Sequence, residues 1–407
     1  MLATIDGLIT PARIKIAACV MLVIYGLATV VWLVTLHHGM DGFHQPVGGD
    51  FVIFWGTSRL TLQGHALSAF DPHLLLAAER SAVAGVRAGL EWCYPPTYQL
   101  LIAPLAFMPF GLAYGVFIAV TLAAFLAMIR SVSDYPLAPL MACALPETFT
   151  NGWQGQNGFL TAALLGFGLT QLDKRPWVAG VALGLLVYKP QFGVLLPLLL
   201  IGTGRWKATA GAALSAGGFI AAATLVFGVG QWAAFFHTLP SVSAALASGE
   251  LPWAKIPTFF VAMLWLHMPK GLAYGVQLTI AAAVAINTLR AWRHPGPLEL
   301  KAALAVLAAF LVLPYAFNYD LVLLAVPIAA TAEYARRHAL PAGTKSALLL
   351  CAIAPAVLLG VAQATHLQLM PVALTIVYLA VLRALANASQ TAGAIGQNDH
   401  RLSVYAD

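Results

Sequence analysis

Long apolar stretches, separated by short polar gaps, run along nearly the whole chain. They lie at about 14–36, 99–130, 137–149, 157–172, 176–188, 190–202, 206–228, 257–290, 299–316, 320–335, 346–365 and 368–386. Runs near twenty residues match the thickness of a bilayer's hydrocarbon, and the alternation of a membrane barrel is absent. The pattern predicts an all-α, polytopic integral membrane protein with about twelve transmembrane helices. Several segments are shorter than the roughly twenty residues that a perpendicular crossing needs, so the boundaries between them are soft. The first run follows Arg13 and Lys15 and precedes no small-residue cleavage site, and it is expected to be retained as a helix.

The basic residues sort into alternate gaps. Arg130, Lys174-Arg175, Arg205 to Lys207, Arg290 to Arg293 and Arg336-Arg337 fall on one side, which the positive-inside rule makes cytoplasmic. Both termini then lie on that side, and the outer side carries two long loops, 37–98 and 229–256. In the first loop, Phe51 to Gln63 and Pro72 to Arg87 mix apolar and polar positions at helical spacing, which predicts two surface helices. Residues 1–386 are read as a single transmembrane domain whose outer loops form its working face. Residues 387–407, polar and with little periodicity, are read as a short, disordered cytoplasmic tail.

Composition sharpens this picture. Only 9% of the 407 residues are charged and 60% are hydrophobic, whereas a soluble protein carries about a quarter charged residues. The net charge of +6 sits in the gaps between spans, so orientation accounts for it and no nucleic-acid partner is expected. The four cysteines form neither a disulfide framework nor a metal-binding spacing. His37, His38, Asp41 and His44 lack the helical pairing with a carboxylate that would argue for a metal site.

One nonapeptide occurs twice. Met108-Pro109-Phe110-Gly111-Leu112-Ala113-Tyr114-Gly115-Val116 is echoed by Met268-Pro269-Lys270-Gly271-Leu272-Ala273-Tyr274-Gly275-Val276. Proline removes a helical donor, so each copy is expected to interrupt its apolar segment. The echo fits either an internal repeat of the transporter type or two similar breaks in a chain rich in Gly, Ala and Pro.

Against so little charge, polar residues on the outer side stand out. Asp50 follows Gly48-Gly49, which let the backbone turn sharply; it suits a general base or the N-cap of the helix that follows. Lys189, in Tyr188-Lys189-Pro190-Gln191, runs against the positive-inside trend. It suits a phosphate or carboxylate partner, or a lysine snorkelling to the interface. Gly155-Gln156-Asn157-Gly158 starts a helix from a turn and offers amide groups to a phosphate or to sugar hydroxyls. Arg59 and Glu91 in the first loop, and His237, Glu250 and Lys255 in the second, are further candidates for an anionic group or a sugar. Asp320, in Phe317-Asn318-Tyr319-Asp320, opens a helix and fits an N-cap.

The ordered set of Gly49-Asp50-Phe51, Trp92-Cys93-Tyr94-Pro95-Pro96, Gly155-Gln156-Asn157, Tyr188-Lys189-Pro190-Gln191 and Tyr315 to Asp320 resembles glycosyltransferase family 87. This group of GT-C membrane enzymes includes polyprenol-phosphate-mannose-dependent mannosyltransferases. The resemblance, over about residues 14–386, implies a GT-C-like enzyme that moves a hexose, mannose first among them, from a polyprenyl-phosphate donor. The acceptor would be a hydroxyl of a lipid or glycan at the outer face of the inner membrane, and the anomeric centre would invert. Asp50 is implied as the catalytic base. Lys189, Gln156, Asn157, Arg59 and His237 are implied on the donor phosphate or sugar, with Glu91, Tyr94 and Asp320 on the acceptor or in support. A polyprenyl phosphate is already a good leaving group, so neither metal nor other cofactor is expected. The competing reading is a transporter or flippase for a polyprenyl-linked sugar or small solute.

Overall fold

The computed structural model describes residues 2–87 and 91–404. The described chain is helical, and its regular structure otherwise amounts to isolated bridges that pair His37 with Met40 and Met40 with Pro46. Six helices are long and apolar enough to cross a membrane: Pro11–Val34, Phe110–Val132, Trp206–Phe227, Lys270–Arg293, Thr344–Thr365 and the first part of the last helix, Met370–Gln390. The protein is a multi-pass membrane protein.

The remaining apolar segments are built differently from the uniform spans expected. Segment 137–149 is split into Ala138–Cys143 and the start of Pro146–Trp153. Segments 176–188 and 190–202 each contain a 3-10 turn, Leu186–Tyr188 and Pro190–Gly193. Segment 320–335 begins in the 3-10 turn Asn318–Leu324 before the helix Ala325–Ala335. Proline and tight turns cut these segments while their side chains stay apolar, so hydropathy alone shows no seam. The helix Leu298–Val312 is buried continuously from Leu300 to Leu311. It forms the central rod of the bundle; at about 22 Å it is shorter than the roughly 30 Å hydrocarbon layer.

Both copies of the nonapeptide do break their segments. Pro109 caps Phe110–Val132 after a short helix and 3-10 turn, and Pro269 caps Lys270–Arg293 after the short helix Phe259–Trp265. Helices form at both expected places, Phe51–Leu62 and Pro72–Ala82, but the first is no surface helix, since Phe51 to Ser58 are buried in the core. The second outer loop is not a loop over most of its length. Val229–Ser248 is a helix with Pro240 inside it, tied down by Gln231, whose Nε2 donates to Ala66 O and to Gln99 Oε1. The last helix, Met370–Val404, continues past residue 387, where a disordered tail was expected; residues 405–407 lie outside the described chain.

Close helix packing positions the functional face. In Pro176–Leu185, a Cβ on Gly180 would stand 2.2 Å from Ala208 O, and one on Gly184 would stand 2.2 Å from Ala212 O. Glycines four residues apart thus let this helix meet Trp206–Phe227 backbone to backbone, the small-residue packing that joins helices in lipid. That contact fixes the end of the helix from which Tyr188 and Lys189 emerge.

Candidate active site

Two turns pressed together build the first half of the site. Gly48 (φ +69°) and Gly49 (φ +47°) adopt left-handed torsions that other residues rarely take. Gly155 (φ +63°) faces them so closely that a Cβ there would stand 2.5 Å from Gly48 O. The Asp50 amide donates to Gln154 O at 2.9 Å, locking the turns together. Asn151 holds the second turn from inside: its Nδ2 donates to Gln156 O, and its Oδ1 accepts from the Phe159 amide.

The consequence is a bond between side chains 106 residues apart. Gln156 Nε2 donates to Asp50 Oδ2 at 2.7 Å, and Tyr94 OH donates to Gln156 Oε1 at 3.4 Å. Asp50 does not cap its helix. It has helical torsions (φ −75°, ψ −10°) and no capping bond, because a side-chain cap needs an extended residue facing the first free amides. Its Oδ1 accepts no hydrogen bond among the described residues. Burial pushes the Asp50 carboxyl above the usual carboxylate range, while the Gln156 amide and the Lys255 charge pull it back.

The second half of the site centres on Lys189, which sits between two 3-10 turns. Its Nζ donates to Asn157 Oδ1 at 2.7 Å and pairs with Asp320 Oδ1 at 2.5 Å. The side chains of Lys189 and Asp320 are only 2% and 3% exposed, so this lysine does not snorkel to water. The rings of Tyr319 and Phe192 lie 5.2 and 5.6 Å from Nζ. Asp320 is not an N-cap but the third residue of its turn, where Oδ2 accepts from the Phe317 amide. Gln156 and Asn157, adjacent in sequence, therefore hold Asp50 with one amide and Lys189 with the next. An aromatic wall links the halves: Tyr94 packs on Tyr98 with centroids 4.5 Å apart, and Tyr98 stacks on Tyr188 at 5.3 Å.

Asp50, Tyr94, Gln156, Asn157, Lys189 and Asp320 are thus brought into one cluster. Three of the sequence candidates stand apart from it. Arg59 is exposed over the Trp55 ring, at the far end of Phe51–Leu62 from Asp50 and about 13 Å along the helix axis. Glu91 and His237 line a separate cavity beside the site. At the head of the first loop, Asp41 Oδ1 accepts from the amides of Phe43 and Gln45, so its carboxylate organises its own turn.

Lys255 and Gln368 matter more than their sequence context suggested. Lys255 is half-buried in the turn Trp253–Lys255, and its charge lowers the Asp50 carboxyl without forming an ion pair with it. Gln368 Nε2 donates to the carbonyls of Trp253, Ala254 and Ile256, pinning that turn. A lone cation in an outer loop was the only signal for Lys255. Nothing local marked Gln368.

A buried carboxylate with one oxygen held by an amide and the other free among the described residues suits a base that takes a proton from a hydroxyl. The sequence profile of glycosyltransferase family 87 matches residues 92–314, more than half of the chain, and the chain belongs to this family. The chain is thus a multi-pass membrane protein of this family, and the family is named for glycosyl transfer and not for transport. The matched stretch includes Gln156, Asn157, Lys189 and Lys255, while Asp50 and Asp320 fall outside it. The chain is also similar to two alpha-(1->3)-arabinofuranosyltransferases from strains of Mycobacterium tuberculosis, with 33% identity over 133 residues in each case. That similarity covers 29% of this chain and 30% of each relative, less than a third of their length. No solved structure matches.

Proposed function

We propose that this glycosyltransferase moves a hexose, mannose in the first instance, from a polyprenyl-phosphate donor to a hydroxyl of a lipid or glycan acceptor. The reaction takes place at the outer face of the inner membrane, in a GT-C-like bundle with about twelve crossings and both termini cytoplasmic. Asp50 is the general base. Its free Oδ1 takes the acceptor proton as the hydroxyl oxygen bonds to the anomeric carbon. The bond from that carbon to the phosphate oxygen breaks on the opposite face, the centre inverts, and polyprenyl phosphate leaves as the anion. Gln156 keeps the carboxylate aimed, and Tyr94 supports Gln156.

Lys255 is the cation that meets the phosphate, since its charge is felt at the base and it has no ion-pair partner among the described residues. Lys189 has a positioning role in this scheme. Its ammonium is already satisfied by Asp320 and Asn157, and it holds Asn157 and the aromatic wall in place. The observation that carries the reading is the Asp50 carboxylate held at Oδ2 by the Gln156 amide while Oδ1 accepts nothing among the described residues. The arabinofuranosyltransferase likeness favours a second reading of the sugar alone, in which a pentofuranose replaces the hexose.

The test uses purified protein in vesicles, with radiolabelled polyprenyl-phosphate mannose and polyprenyl-phosphate arabinofuranose in separate arms and a set of lipid and glycan acceptors. Labelled product is expected in one arm, and Asp50→Asn should slow its formation by about 10²–10⁴-fold with the protein still folded. A folded Asp50→Asn protein that transfers at the wild-type rate removes Asp50 from the role.

A further inference from the structure

Beside the Asp50 cluster lies a second cavity of about 370 Å³, within the size range of small-ligand sites. Phe70, Glu91, Trp92, His237, Thr238 and Ser241 line it, so it joins the first outer loop to the helix Val229–Ser248. Its polar groups are only partly used. Ser241 Oγ donates to Glu91 Oε2 at 3.2 Å, whereas Glu91 Oε1 and the His237 ring bond to nothing among the described residues.

The decisive group is Trp92. Its side chain is 1% exposed, and its indole N–H is buried with no acceptor among the described residues. A buried donor without a partner is costly, and such groups are rare unless something completes them. Trp92 lines the cavity, so an acceptor atom of a bound ligand could complete it.

The chemistry of the wall selects the occupant. Among the described residues it contains a carboxylate and no lysine or arginine, so a phosphate would meet repulsion without compensation. A neutral sugar ring offers hydroxyl hydrogens to Glu91 Oε1, oxygens to the Trp92 N–H and to His237, and an apolar face to Phe70. The cavity also leads to the reacting groups. The Trp92 ring lies 5.2 Å from that of Tyr94, whose hydroxyl reaches the Gln156 amide that holds Asp50.

We infer that this cavity is a subsite for a neutral sugar residue of the acceptor, with Trp92, Glu91 and His237 as its polar contacts. The inference rests on the glycosyltransferase reading above, and it moves His237 from the donor side to the acceptor side.

The test is binding, measured without transfer. Saturation-transfer NMR on the full-length protein in nanodiscs uses methyl α-mannopyranoside, methyl α-glucopyranoside and methyl α-arabinofuranoside as probes. At least one probe is expected to bind wild type and Asp50→Asn alike. Trp92→Phe, which keeps the ring and removes the N–H, and Glu91→Gln should each weaken that binding by at least about fivefold, as expected for an unpaired polar contact. Ser241→Ala, at an exposed position, gives a second variant with little risk to folding and should weaken it in the same direction. Polyprenyl phosphate binding should be unchanged in all three. Failure of every glycoside to bind wild type, or binding that is indifferent to Trp92→Phe and Glu91→Gln, overturns the subsite. So does polyprenyl phosphate binding that His237→Ala abolishes. None of these results bears on Asp50, whose role is decided by the transfer assay alone.

Discussion

At the scale of single residues, the aim of the Asp50 carboxylate depends on an atom that is missing. A Cβ on Gly155 would stand 2.5 Å from both Gly48 O and Phe51 Cβ, at a left-handed φ. Gly155→Ala should therefore cost about 1–3 kcal/mol in thermal unfolding and lower transfer by separating Gln156 from Asp50. Unchanged stability would mean that the two turns are not locked together. The same carboxylate sets the pH dependence. A base must be ionised, and burial raises Asp50, so the rate should fall as pH drops through a value above the ordinary aspartate figure of about 3.9. Gln156→Leu removes a bond that favours the charged form and should shift this acid limb further upward, which a rate–pH profile reads directly. Asp50 stood out in the sequence because a charge beside hydrocarbon is expensive. Its freedom from the N-cap role did not, since that follows from its torsions.

At the scale of elements, the proposed phosphate cation is held by a turn, and the turn by one distant side chain. Gln368 reaches three carbonyls around Lys255. Gln368→Leu should loosen that turn and raise the donor KM roughly tenfold, equivalent to about 1.4 kcal/mol, with a smaller change in kcat. A change confined to the acceptor KM would detach Lys255 from the donor. Pro11, Pro96, Pro146 and Pro176 all stand in the first turn of their helices, where a missing N–H does no harm. The helix Val229–Ser248 was not readable. Gln231, His237, Thr238 and Ser241 give it the composition of a loop, and Pro240 looks like a breaker. Packing against residues 66 and 99 holds it as a helix. The 3-10 turn Leu186–Tyr188 was hidden for the opposite reason, being nearly as apolar as the helix it follows.

At the scale of the whole molecule, hydropathy established a multi-pass bundle, and the spacing of basic residues suggested which ends share a side. It carried no information about which buried charges meet, because the pairing of Lys189 with Asp320 is made by the packed bundle and not by local spacing. That pairing makes a stability prediction. Asp320→Asn leaves an ammonium buried without its counter-ion and should cost about 3–5 kcal/mol in unfolding measured in detergent. Pairing Lys189→Met with Asp320→Leu should recover most of that loss, and a double variant no better than the single would show that the charges act independently. The pair also bears on how the protein is made. Its members are 131 residues apart. At about 5–20 residues per second, a ribosome leaves the lysine without its counter-charge for on the order of ten seconds. Over that interval the segment around Tyr188 has no reason to settle in lipid and stays at the water's edge. The interior is thus closed late, from the C-terminal half, and a nascent chain cut short before Asp320 is expected to leave this segment at the interface.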